Sequence, residues 1–306
     1  MRRFILGTDW WTDCDDAVAI RVLAAAAARG DVSVAGIVVN ACMPESAASI
    51  LGYLAHEGLR VPLALDRDAT DYGGRPAYQH RLAATLGASR TESECAEVLP
   101  MLRRLLAESG DGELEFIEIG YPQCLAALLA SEPDAVSPLG GIELVRRKVS
   151  HLWMMAGNYA DEARGRENNF ARNARSAAAG AAVCRDWPTP VTFLGWEVGA
   201  SVLSGGRLAP HDVLAQILAD HGSPHGRSSW DPMTVCLALH GSPEAAGYRA
   251  VRGRVSVDAA TGENSFVRDG AGPHEYVQKT RGDAAYAAEI DAILAAAPGA
   301  AREGGQ

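Results

Sequence analysis

Val32–Val39 is a run of small and apolar residues closed off by Asp31 and Asn40. A strand without polar alternation must be covered on both faces, which points to a mainly parallel sheet buried between helices. The same pattern extends along the chain. Residues 3–7 read as a short apolar strand, 17–28 as an Ala-, Leu- and Val-rich helix, 46–57 as a helix and 61–65 as a short strand. Residues 94–109 read as a helix with Val98, Leu99, Leu102, Leu105 and Leu106 on its apolar face; Pro100 inside it implies a kink or a start at that point. Strands follow at 115–119, 151–155 and 191–194, beside helices at 124–130 and 172–184. This alternation predicts a single Rossmann-like α/β domain over residues 1–306, with a mainly parallel central sheet flanked by helices. In such sheets the ligand lies beyond the carboxyl ends of the strands. The unusual polar residues recur there: 9–16 after the first strand, Asn40 after the second, Tyr121-Pro122-Gln123 after another and Asn158 after Met155.

The first of these segments is the most informative. Thr8-Asp9-Trp10-Trp11-Thr12-Asp13-Cys14-Asp15-Asp16 holds four carboxylates within eight residues. Carboxylates so close repel one another unless protons or a cation neutralise them, and hard oxygen donors suit Ca²⁺ or Mg²⁺. A helix N-cap accounts for Asp15 or Asp16, but not for the whole group beside two tryptophans. The spacing is not that of an EF-hand loop, whose Gly and closing Glu are missing.

A net charge of −10 repels polyanions at long range, and the basic residues form no stripe that could track phosphates, so nucleic acid is not an expected partner. No membrane is expected as a partner either: the apolar start ends at Gly7, too short for a signal peptide, and no longer stretch is apolar enough to span. Six scattered cysteines without a CxxC pair suit reduced thiols and a cytoplasmic location. The small, polar tail 298–306 is expected to fray.

Gly7-Thr8-Asp9-Trp10-Trp11-Thr12-Asp13-Cys14-Asp15-Asp16 resembles the longer form of the opening motif of the inosine-uridine nucleoside hydrolase family, Asp-Thr-Asp-x-Gly-Asn-Asp-x-Asp-Asp. Gly7 replaces its first Asp and Trp11 its Gly. The resemblance continues in register to residue 232. Residues 36–39 with Asn40 resemble the second strand and its polar end; Gly120-Tyr121-Pro122-Gln123-Cys124-Leu125-Ala126 stands for Gly-Pro-Leu-Thr-Asn-x-Ala. Met155-Ala156-Gly157 stands for Met-Gly-Gly, Glu167-Asn168-Asn169-Phe170 for Glu-Phe-Asn-Phe, and Trp230-Asp231-Pro232 for His-Asp-Pro.

The resemblance implies the nucleoside hydrolase fold, bound Ca²⁺, and hydrolysis of the N-glycosidic bond of a ribonucleoside or related N-riboside to ribose and free base. Asp9 would be metal ligand and general base to a metal-bound water, with Asp16, Asp231 and the Gln123 backbone carbonyl completing the ligands. Asp15 and Asn169 would hold the ribose hydroxyls, Glu167 the 5′ end, with Asn158 or Asp161 sharing that role; Asn40 and Met155 are further substrate-binding candidates. Members are usually homodimers or homotetramers. Asp13 has no assigned role.

The chain departs from the family at the leaving-group side. Trp230 stands where a histidine is common, and an indole N–H can donate a hydrogen bond but not a proton. Trp10, Trp11 and Trp230, with Trp196, would form an aromatic wall for a flat base. Tyr72, Arg75, Tyr78 and His80, around the Gly73-Gly74 turn, are candidate lid residues. Two rival readings remain: a catalytically weak nucleoside- or ribose-binding protein that keeps the metal site, and a Mg²⁺ phosphatase. The second is disfavoured because no Gly-rich phosphate cradle follows a strand.

Overall fold

The structure, a computed structural model, describes residues 1–11, 13–74 and 77–297. Strands β1 (Arg2–Thr8), β2 (Val32–Val39), β3 (Leu63–Leu65), β4 (Leu114–Glu118), β5 (Val149–Met155) and β6 (Val191–Leu194) come first. The short β7 (Leu203–Ser204) and β8 (Arg227–Ser228) pair only with each other, and β9 (Tyr248–Val257), β10 (Asn264–Arg268) and β11 (His274–Lys279) close the series. Nine strands form one sheet in the order β10-β9-β11-β6-β5-β4-β1-β2-β3. Every pairing from β3 to β11 is parallel; β9 runs antiparallel to both β11 and β10. The expected mainly parallel sheet is therefore present, with an antiparallel edge that the sequence reading did not place.

The helices are α1 (Asp15–Ala28), α2 (Ser46–His56), α3 (Ala77–Thr85), α4 (Val98–Glu108), α5 (Gln123–Leu129), α6 (Gly141–Lys148), α7 (Asn168–Ala171), α8 (Ala174–Asp186), α9 (Trp196–Gly199), α10 (Val213–Asp220), α11 (Trp230–His240) and α12 (Asp283–Ala296). They cover both faces of the sheet. Because side chains alternate along β1, Phe4 and Leu6 enter the core shared with α1 and α11, while Ile5 enters the core shared with α4, α5 and α8. Pro100 lies in the first turn of α4, where no intrahelical hydrogen bond is lost to it. Arg21 on α1 is fully buried and bridges Glu57 just after α2 and Asp212 just before α10, both at 2.8 Å. All six cysteines are free. No described helix is long and apolar enough to cross a membrane.

The connections position the site. The chain enters at β1, moves outward through β2 and β3, then returns to β4 on the other side of β1. That reversal opens a crevice at the carboxyl ends of β1 and β4, where open α/β sheets bind ligands. The acidic turn leaves β1 directly into it.

Candidate active site

Asp15 and Asp16 occupy the first turn of α1, and Asp231 the first turn of α11. Acids are favoured at a helix start because they offset the positive end of the dipole. Here two helix starts bring their acids face to face, so that one carboxylate oxygen from each of Asp15, Asp16 and Asp231 lies within 4.8 Å of the others. Asp15 is held by the backbone N–H of Asp231 (3.1 Å), and Asp16 by the Thr8 hydroxyl and by the backbone N–H of Trp10 (3.3 Å). Asp9, at the end of β1, lines the same cavity and accepts from the backbone N–H of Trp11 (3.0 Å). All four are nearly sealed from solvent.

Burial is the main cause that raises these carboxyl groups above the ordinary range, and charge repulsion adds to it: Asp16 on Asp9, Asp13 on Asp15, Asp15 on Asp231. Asp16, pushed up by burial and relieved by the Thr8 hydroxyl, reaches about 7. Asp13 goes the other way: burial opposes ionisation, but a two-point ion pair with Arg227 outweighs it and holds the carboxyl below its usual value. The Asp15, Asp16 and Asp231 oxygens are a hard, oxygen-only donor set whose mutual repulsion a divalent cation would relieve. The residues present thus fit such an ion.

The cavity has a volume of about 260 Å³. Beyond the acids, its walls include Ile119, Met155, Glu167, Asn168 and Asn169 together with Trp11, Trp196, Arg227 and Trp230. The Asn169 amide donates to the Met155 carbonyl (2.9 Å) at the end of β5, fixing its place. Glu167, raised to about 7 by burial, accepts from the backbone N–H of Asn169 (2.6 Å) and Gly157 (3.0 Å). Trp11 is buried, and its indole N–H has no partner among the described residues. The Trp230 indole N–H donates to the Trp196 carbonyl (2.7 Å), its ring stacks on Trp196 at 6.3 Å, and Arg227 sits 5.1 Å from its centroid. Trp230 therefore offers a ring face and no hydrogen.

Of the residues singled out from the sequence, Asp9, Asp15, Asp16, Asp231, Met155, Glu167, Asn169, Trp11 and Trp230 come together around this cavity. Others do not. Trp10, expected in the aromatic wall, is instead a core residue: it stacks on Tyr53 (5.4 Å), meets Tyr78 edge-on and donates to the Ser49 hydroxyl (2.9 Å). Asn40 lies beneath the site, donating to Glu118 (2.8 Å) and accepting from the Tyr121 N–H (2.9 Å). The Gln123 side chain donates to the Asn40 carbonyl and to Asp66 (3.3 Å), and the residue is not on the cavity wall. Asn158 lines a neighbouring cavity. Tyr72 and Tyr78, expected in a lid, are buried, His80 is exposed beside Glu45, and Arg75 and the 298–306 tail lie outside the described residues.

Two participants were not foreseen. Arg227 fixes Asp13, a partner 214 positions away, so no local pattern announces it. Glu118 occupies the space a side chain at Gly7 would need, and binds Asn40 and the Gly120 N–H (3.1 Å). The carboxylate missing at Gly7 is thus replaced in space by one from the adjacent strand; a Glu ending the apolar run of β4 was its only signal.

The architecture is the fold of the nucleoside hydrolases. Among solved structures, the inosine-uridine preferring nucleoside hydrolase from Bacillus anthracis superposes with a TM-score of 0.68 at 14% identity, covering 96% of this chain and 99% of that one. The purine-preferring ribonucleoside hydrolase from Gardnerella vaginalis gives 0.67 at 14% identity, covering 98% and 99%. The type III effector XopQ, solved with adenosine diphosphate ribose, gives 0.65 at 18% identity, covering 98% and 94%. No protein-family model and no curated protein sequence matches the chain.

Proposed function

We propose that this chain hydrolyses the N-glycosidic bond of a ribonucleoside or related N-riboside, giving ribose and free base, with Ca²⁺ as its metal. The observation that carries the reading is the placement of Asp9 in one buried cavity with the Asp15, Asp16 and Asp231 oxygens, at the switch point of the sheet. Asp15, Asp16 and Asp231 would hold the cation, with Asp9 beside them; bound there, it would offset their charge and acidify water. Asp9 takes the proton from the attacking water. Asn169 holds the ribose hydroxyls against the acids. As the bond to the base loosens, C1′ gains positive charge, which the surrounding carboxylates stabilise. Trp11 and Trp230 flank the base, and Arg227, permanently charged, offers hydrogen bonds to it as it departs as an anion, which then takes a proton from solvent. Six free cysteines suit the cytoplasm, and a homodimer or homotetramer is the expected assembly.

The test is release of reducing sugar from a panel of ribonucleosides with calcium present. Asp9→Asn should lower kcat by about 10²–10⁴-fold, the usual worth of a general base; unchanged turnover would overturn the mechanism. A second reading, a nucleoside- or ribose-binding protein with weak catalysis, draws support from the spent N–H of Trp230. Tight nucleoside binding without sugar release from any member of the panel would favour it.

A further inference from the structure

A second cavity of about 500 Å³ adjoins the acidic one. The two share Glu167, Asn168 and Trp196 as walls, and the second adds Asn158, Arg166 and Arg172. Its charge is opposite to that of its neighbour. Arg166 donates to the carbonyls of Thr261 (2.9 Å) and Ala171 (3.4 Å), and Arg172 to the carbonyl of Tyr72 (2.5 Å). Neither has a carboxylate partner among the described residues, although the chain carries an excess of acids and Arg67, Arg81, Arg147 and Arg268 all find one. A guanidinium has five N–H donors, so both keep donors to spare while the carbonyl bonds hold their position. Glu167, the acid on the shared wall, is turned to the backbone N–H groups of Gly157 and Asn169.

We propose that the substrate carries a phosphate ester on C5′ of its ribose and that Arg166 and Arg172 bind it. The inference rests on the ribosyl-hydrolase reading above for the placement of the sugar. With the 2′- and 3′-hydroxyls on the acids and the base between Trp11 and Trp230, the remaining ring substituent, at C4′, points past Glu167 and Asn168 toward the two arginines. Paired guanidinium groups match a phosphate by two-point hydrogen bonds, whereas an uncharged 5′-hydroxyl would leave both charges unused.

The test compares uridine with uridine 5′-monophosphate, and inosine with its 5′-monophosphate, in the wild type and in the Arg166→Ala/Arg172→Ala variant. Calorimetry with ribose, ribose 5-phosphate and inorganic phosphate runs alongside. The wild type should favour the phosphorylated member in kcat/KM by about tenfold or more, and the variant should bring that ratio close to one. Ribose 5-phosphate should bind more tightly than ribose or inorganic phosphate alone. Cleavage of nucleosides with no preference for their monophosphates, or a preference that survives in the variant, would overturn this inference and leave the hydrolase reading standing. Arginine-dependent binding of ribose 5-phosphate without cleavage of any riboside would do the reverse.

Discussion

Trp10 adopts a left-handed backbone conformation, with φ of 49°, that residues other than Gly rarely hold. Its buried ring, packed on Tyr53 and Tyr78, compensates for that strain. Trp10→Ala should therefore cost about 3–5 kcal/mol of stability, as for other large-to-small core changes. Trp10→Gly should cost about 1 kcal/mol less than the Ala variant despite removing more of the side chain, because glycine is free of the strain. Paired urea melts of the two variants decide this. Gly7 makes a complementary case. A Cβ there falls on the Glu118 carboxylate, itself raised to about 8 by burial, so Gly7→Ala should lose about 1–3 kcal/mol through overpacking, read in the same melts. At this scale the legibility of the site followed sequence spacing. Asp9, Asp15 and Asp16 stand close together in the chain and could be recognised as a group. Glu118 and Arg227 gain meaning only from strand adjacency and a distant partner, and the two adjacent tryptophans gave no sign that one faces the core and the other the cavity.

Arg21 ties three helices at one buried point. Removing it leaves Glu57 and Asp212 as uncompensated charges in the interior, a change that costs about 3–5 kcal/mol for buried pairs. Arg21→Ala should lower the melting temperature more than alanine at the exposed Arg29, whose partner Asp31 is also exposed; thermal melts of both variants measure the contrast. The elements of the parallel half could be read from the sequence because their strands are buried on both faces and therefore continuously apolar. Those of the antiparallel edge could not. β9 alternates buried Val255 and Gly253 with exposed Arg252 and Arg254, and glycine and arginine in a strand resemble a loop when no neighbour is known. The start of α1 at Asp15 rather than residue 17 has the same kind of cause: acids at a helix start read as turn until the dipole they cap is in view.

The molecule as a whole carries a proton balance to which a metal at the acidic site would be linked. Asp16 and Glu167, each at about 7, and Glu118, at about 8, have folded values raised above their unfolded ones, so the folded chain binds more protons than the unfolded between the ordinary carboxylate range and pH 8. Stability of the metal-free protein should then fall as pH rises through that window. Burial lowers His151 and His274 to about 4, which works in the opposite sense below pH 6.5 and drops out above it. Between pH 6.5 and 8 the raised carboxylates dominate. Melting temperature in EDTA should decline across that interval, and added Ca²⁺ should raise it more at pH 8 than at pH 6.5, since fewer protons must be displaced. A flat profile in both conditions would argue against the ion site.

Asn264 on β10 clasps the loop that follows β5: it accepts from the Asn158 N–H (3.0 Å), donates to the Asn158 carbonyl (3.0 Å), and exchanges backbone bonds with Gly165. Nearby, Arg268 pairs with Glu162 and Glu263 with Arg164. One wall of the cavity beside the acids therefore hangs from a strand translated long after the acidic turn. During synthesis, the carboxylates of α1 wait for Asp231, and the adjoining cavity waits longer, for β10, before it has its final shape. A chain released from the ribosome at residue 250 would hold every acid of the site and lack the clasp on Asn158.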